Sequence, residues 1–444
     1  MPSGQVSVPS SNGPVSFTVT GTNTLAYAQS FANALNTALT QGTLGYLNLS
    51  DSGASIPGYP SSSTPSVIEH EITAPGSYTL PGGDSPAGGI YTFVDANGTV
   101  TVTGSGSGDA LLSGTGDALA SQGDSSSTIY NDVGGNNYII FVNGNNTYNG
   151  DMTSSSGSDH IVAGSGMDTI NTGAGAATVN SGTGSATIYM QDTVTTAGAI
   201  SDPNSINPAD YNQFTYLDDG TNTVYMNGVA DVAVATAPDQ SIYGGSGIDL
   251  VALVTPGGDT VPGGDTVQGG SGLTSVYDAS NGNLIEGSTG TLVVTFGTGI
   301  DASVVSGTGT TLVYGTTGDT ITYTTDTTSG TSIFIGNAGE SVDASGSSGS
   351  LTMVLGTGNE TLTGGTGTTT FNANYDSVMG SGSITINDFG GSDVFNFVGY
   401  TAAEYQAALA TGTSTTAGYQ ITLSDNTVVT FTNLNSIAGH TTNT

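Results

Sequence analysis

The chain has no lysine and no arginine, where a protein of its length would ordinarily carry roughly 50. With no cationic side chain to neutralise phosphates, nucleic acid is excluded as a partner, and so are anionic membrane surfaces. Cysteine is absent as well; that rules out disulfides and suits a secreted bacterial repeat protein at least as well as a cytosolic one. No apolar run approaches the roughly 18 residues of a membrane-crossing helix, so no membrane insertion is expected. Histidine occurs three times, and glutamate only at 69, 71, 286, 340, 360 and 404. The stretch MPSGQVSVPSSNGPVSF lacks a basic region and an apolar region, so no cleavable signal peptide is expected.

What is present is acid and glycine. The 35 Asp and Glu give a formal charge of −35. Most are Asp, the acid favoured in turns and in calcium loops. Self-repulsion therefore falls in acid or when a divalent cation binds. Gly, Ser and Thr dominate, a composition that can mean disorder. Against that stand 20 Tyr, 12 Phe and 35% hydrophobic residues, many at regular positions.

The regularity is a nine-residue period. Residues 154–189 read SSSGSDHIV, AGSGMDTIN, TGAGAATVN, SGTGSATIY, with Gly157, Gly166, Gly175 and Gly184 each followed four positions on by Ile161, Ile170, Val179 or Ile188. Gly349, Gly358 and Gly367 repeat the spacing. Glycine marks a turn where backbones pass closely, and the following β-branched residues form a short strand with its aliphatic member inward. Two nonapeptides make one coil, and coils stack at about 4.8 Å. The expected class is all-β: a parallel β-solenoid with a small α+β N-terminal region and a C-terminal cap.

At Gly244-Gly245-Ser246-Gly247-Ile248-Asp249-Leu250-Val251 the sequence resembles the RTX family of hemolysin-type calcium-binding repeats, whose unit is G-G-x-G-x-D-x-U-x. Asp159 and Asp168 fall on the same Asp position, and SITINDFGGSDVFNF (383–397) looks like the family's closing motif. The resemblance implies a β-roll, Ca²⁺ between turns, and type I secretion through an uncleaved C-terminal signal. It makes Asp159, Asp168, Asp249, Gly245, Gly247, Asp259 and Asp265 the candidate metal ligands. Yet Asp159 would stack on Ala177 and Asp168 on Ala186, and most turns carry Thr or Ala instead of Asp. Such turns cannot hold a cation that wants six to eight oxygens. Calcium is therefore expected at a few turns only, around Asp249 and the PGGDTV repeat; the alternative is that these Asp residues only close turns.

Along the chain, residues 1–80 read as a strand (14–21), an apolar helical stripe at 25, 28, 31, 35 and 39, and a Pro-rich linker (55–66). Residues 81–195 and 241–375 read as two solenoid segments, 196–240 as an insertion loop, and 376–444 as a cap with the secretion signal. The cap holds a short helix (402–410) and a hairpin at Asp425-Asn426.

The function expected from this is a secreted structural protein at the cell surface or in the matrix. It would assemble through strand edges, as homo-oligomer or polymer, into a filament, surface layer or biofilm matrix. The alternative is a calcium-dependent adhesin or ligand-binding module, taking cell-surface polysaccharide or ice on Thr-x-Thr rows such as 99–104 and 320–328. An enzyme is not expected: no cation can hold a uronate, His70-Glu71 lacks the second His of a zinc protease motif, and no Ser-His-Asp set suggests itself.

Overall fold

In the nonapeptide run, each repeat forms one strand. Ser158–Val162 pairs in parallel with Ala176–Asn180, and Met167–Asn171 with Ser185–Met190. Successive strands thus alternate between two sheets, and Ile161 meets Val179 two nonapeptides on. Ile161, Ile170, Val179 and Ile188 are fully buried between the sheets. One strand from each sheet makes a rung, and the stacked rungs are a parallel β-solenoid.

The computed structural model describes residues 3–20, 22–48, 67–79, 90–94, 99–104, 109–113, 127–132, 137–141, 145–150, 158–191, 213–217, 220–254, 263–325, 330–375 and 382–444. They belong to two units, Met1–Ile242 and Tyr243–Thr444.

In the first unit the solenoid begins earlier than residue 81. Leu44–Asn48 pairs in parallel with Val67–Ile72, which pairs with Ile90–Val94. Nor are residues 196–240 one insertion. Gln213–Leu217 stacks on Ala176–Asn180 and then on Ala230–Ala235, and Thr223–Met226 continues the other sheet. These strands lack the Gly-x-Gly turn but keep an inward apolar set: Leu217, Val224, Met226, Ala233 and Ala235 are buried. Alternation alone holds them in place.

The N-terminal segment folds as a module on its own chain. Ser3–Val8 and Val15–Thr20 form an antiparallel hairpin, followed by helix α1 (Thr22–Thr40). Of the helical stripe, Ala28, Phe31 and Leu35 are buried and Leu39 is exposed. With Val6 and Val8 they cluster on Val67, Phe93, Ile140 and Val162, the outward-pointing members of the solenoid strands. Burial of Phe31 and Leu35 contributes about 1.5–3 kcal/mol each. The module covers one sheet from outside.

The second unit stacks Ile248–Val254, Leu273–Ala279, Thr291–Phe296, Thr310–Tyr314 and Thr331–Ile335 in one sheet. Its other sheet runs through Asn283–Glu286, Asp301–Ser306, Thr320–Thr325, Ser341–Asp343, Glu360–Thr363 and Ser383–Asn387. The turns explain the glycines. A methyl group on Gly272 would overlap the carbonyl oxygen of Gly247, one on Gly290 that of Gly272, and one on Gly309 that of Gly290. None of these three is in the left-handed region, so close approach, not conformation, demands glycine here.

The short helix and the hairpin expected near the end of the sequence are both present. Helix α2 (Ala402–Ala410) starts at a Thr401–Glu404 capping box. The hairpin Gly418–Thr422/Val428–Phe431 turns at Asn426, whose φ is 71°. Its Phe431 ring meets Phe389 at 4.9 Å and Phe395 at 5.4 Å, edge to face. No described helix is long and apolar enough to cross a membrane.

Candidate functional site

The residue two positions before each inward aliphatic residue sits at a corner of the coil, and its side chain points inside. These corner residues form columns. In the first unit, Asp168 Oδ1 accepts the backbone and side-chain N–H of Asn146 (2.9 and 3.0 Å). Asn222 Oδ1 accepts Ala186 N–H at 2.8 Å, and Gln240 Oε1 accepts Asn222 N–H at 3.1 Å. In the second unit, Asn283 serves Asp265 N–H and Asp319 serves Ile300 N–H (3.0 and 2.9 Å). Each side chain satisfies a backbone donor of the preceding rung.

A carboxyl oxygen can also close the residue's own turn. Thr316 N–H donates to Asp319 Oδ2 (2.6 Å), Asn337 N–H to Glu340 Oε2 (2.7 Å) and Gly356 N–H to Glu360 Oε1 (2.9 Å). In the other sheet, Gly245 N–H donates to Asp249 Oδ2 (2.7 Å) and Gly390 N–H to Asp393 Oδ2 (3.0 Å). These are Asx-type closures drawn inside the coil.

Burial without a cation sets the electrostatics. Desolvation pushes Asp168 up to about 6, and Asp249 and Glu340 to about 7. Glu360 rises to about 8, by desolvation and then by the Glu340 charge one rung away. Asp278 reaches about 7 by burial; its Oδ1 accepts Asn283 Nδ2 at 2.8 Å. A further pair lies on Val67–Ile72: Glu69 is pushed to about 8 and His70 down to about 4, both by burial.

The chain matches no family model, no curated protein and no solved structure.

The candidate metal ligands are dispersed. Asp159 is stacked on Ala177 and Asp168 on Ala186, as the spacing predicts. Asp159 Oδ2 accepts the Tyr148 hydroxyl at 2.6 Å. Gly245, Gly247 and Asp249 share one turn, stacked on a rung that offers Thr274. The Gly245 and Gly247 carbonyls accept Ser271 and Leu273 N–H (2.8 and 2.9 Å). Asp265 is buried in the other column, and Asp259 lies outside the described residues. Among the described residues, no three acidic or histidine groups gather as a metal would require.

Sequence reasoning missed Glu69, Asp278, Glu340 and Glu360. The two last were legible: Gly336-x-x-Gly-Glu340 and Gly356-x-Gly-x-Glu360 place Glu where the repeat has Asp. A groove of about 270 Å³ runs over their turns, lined by Gly336, Asn337, Gly356 and Thr357 among others. His160 is half-buried.

Proposed function

We propose that the chain is a structural protein of an extracellular layer, filament or matrix, packing side by side with copies of itself through a flat polar sheet face. The observation that carries this reading is a two-column lattice on the second unit. Thr320, Ser341, Thr361 and Thr385 are register partners on four successive rungs. Two residues along, Thr322, Asp343, Thr363 and Asn387 form a parallel column. All eight are exposed or half-buried. Strand geometry spaces them about 4.8 Å between rungs and about 6.6 Å along a strand. A repeated hydroxyl and amide surface of this kind is complementary to another copy in register.

The same lattice favours a second reading, a module binding an ordered surface such as ice or a crystalline polysaccharide. Thermal hysteresis and pull-down on insoluble polysaccharide test it, and no activity in either dismisses it. Calcium enters as part of the proposal at Asp249, whose Oδ1 is buried without a hydrogen-bond partner. Secretion by the type I route and membership of the RTX family belong to the proposal too, supported by the repeat and by the solenoid.

Electron microscopy of purified protein at pH 4 and pH 7, with and without Ca²⁺, tests the structural reading. Ordered filaments or lattices are expected. Monomers under all four conditions would sink it.

A further inference from the structure

We propose that the N-terminal module, residues 3–40, is a proton-latched cover: it stays seated on the outer face of the solenoid while Glu69 is protonated, and lifts when Glu69 ionises.

Val67–Ile72 points Val67, Glu69 and Glu71 to one face, by the two-residue period of a strand. That face is the covered one. Val67 belongs to the apolar cluster with Val6 and Leu35. Glu71 accepts Ser10 Oγ at 2.5 Å and Ser11 Oγ at 2.7 Å, from the turn of the hairpin. Glu69 lies between the two, with no exposure, and both of its oxygens lack a hydrogen-bond partner. Its register neighbours are Tyr46 and Tyr91, and Tyr91 packs on Phe31 of α1 at 5.3 Å.

The surroundings offer no counter-charge. Residues 1–50 contain no Asp, Glu, His, Lys or Arg, and Tyr27 and Tyr46 are their only ionisable side chains. On its own strand Glu69 faces Glu71, a like charge, while His70 points to the solenoid interior beside Thr92. Tyr91 is the ionisable group on the next strand. A buried carboxylate with no donor and no cation is strongly disfavoured, whereas a carboxylic acid is tolerated. Lifting the module gives the carboxylate water. Burial holds the seated Glu69 near 8, far above its value in water. The group binds its proton more tightly seated than lifted, so seating is favoured in acid and lost as pH rises. Between about pH 5 and pH 8 the lifted fraction grows about tenfold per pH unit and then levels off.

Hydrogen exchange of the full chain, corrected for intrinsic rates and read on peptides from the hairpin 3–20 and from α1, tests this. In the wild type, protection of both segments should fall about tenfold per pH unit over that range. Glu69→Gln, an uncharged isostere, should remove the pH dependence, and Glu71→Gln should retain it. Flat wild-type protection between pH 5 and 8 overturns the proposal without any variant. An unchanged pH response in a folded Glu69→Gln chain overturns it equally.

Discussion

Glu340 and Glu360 stand on neighbouring rungs of one corner column, and an oxygen of each lies 3.0 Å from where a Cβ on Gly336 would sit. The glycine makes room for two carboxyl groups that have no cation between them. Asp319 occupies the preceding rung and raises Glu340 further after burial has done so.

The first prediction concerns pH. Glu340 near 7 and Glu360 near 8 are both above their ordinary range. Their stabilisation is complete below the unfolded pKa and is lost as pH rises through 7 to 8. The loss is on the order of a few kcal/mol per group. Urea unfolding followed by circular dichroism should show a midpoint that falls between pH 5 and pH 9. Glu360→Gln should flatten that fall, and parallel profiles would contradict the assignment.

His70 works in the opposite sense. Burial lowers it to about 4, so its contribution is complete above pH 6.5 and declines as pH drops towards 4. Thr92, Ile139 and Ile161 continue its inward column. His70→Leu should therefore raise the unfolding midpoint at pH 4 relative to wild type, with a smaller change at pH 7.

Two glycines separate close approach from mere flexibility. Gly290→Ala sets a methyl group against the Gly272 carbonyl and should cost more than 2 kcal/mol, roughly the scale of core overpacking. Gly390 has open space around it and no left-handed backbone, so Gly390→Ala should fall within about 0.5 kcal/mol of wild type. Equal effects in thermal unfolding would refute the stacking argument.

Calcium is tested at Asp249. A raised melting temperature on adding Ca²⁺ is expected in the wild type, and Asp249→Asn should abolish the shift while keeping the Gly245 N–H bond. No shift in the wild type would remove calcium from the proposed function.

Much of this fold is legible in the sequence. Glycine spacing places the strands at 158–190, and an aliphatic residue four positions on fixes the inward face. The same period places the Asp inward too, because Asp168 and Ile170 are two apart on one strand. The stretch 67–72 escaped notice because VIEHEI reads as a charged segment. Its outward acids are covered by the N-terminal module, a tertiary contact with no local signal. Strands at 213–235 escaped because their turns use Asn and Asp-Gly in place of Gly-x-Gly.

The corner columns also give the stack a direction. Asp168, Asn222, Gln240, Asn283, Asp319 and Asp393 each serve an N–H of the preceding rung, so those rungs are finished only when their C-terminal successors arrive. Shortening a unit from its C-terminal side leaves a buried donor stranded on the new last rung, at about 1–3 kcal/mol. Shortening it from the N-terminal side frees an acceptor that water can meet. The coil is therefore vectorial: its unfinished end always faces the C-terminus, and closing it is the work of the α2 hairpin cap.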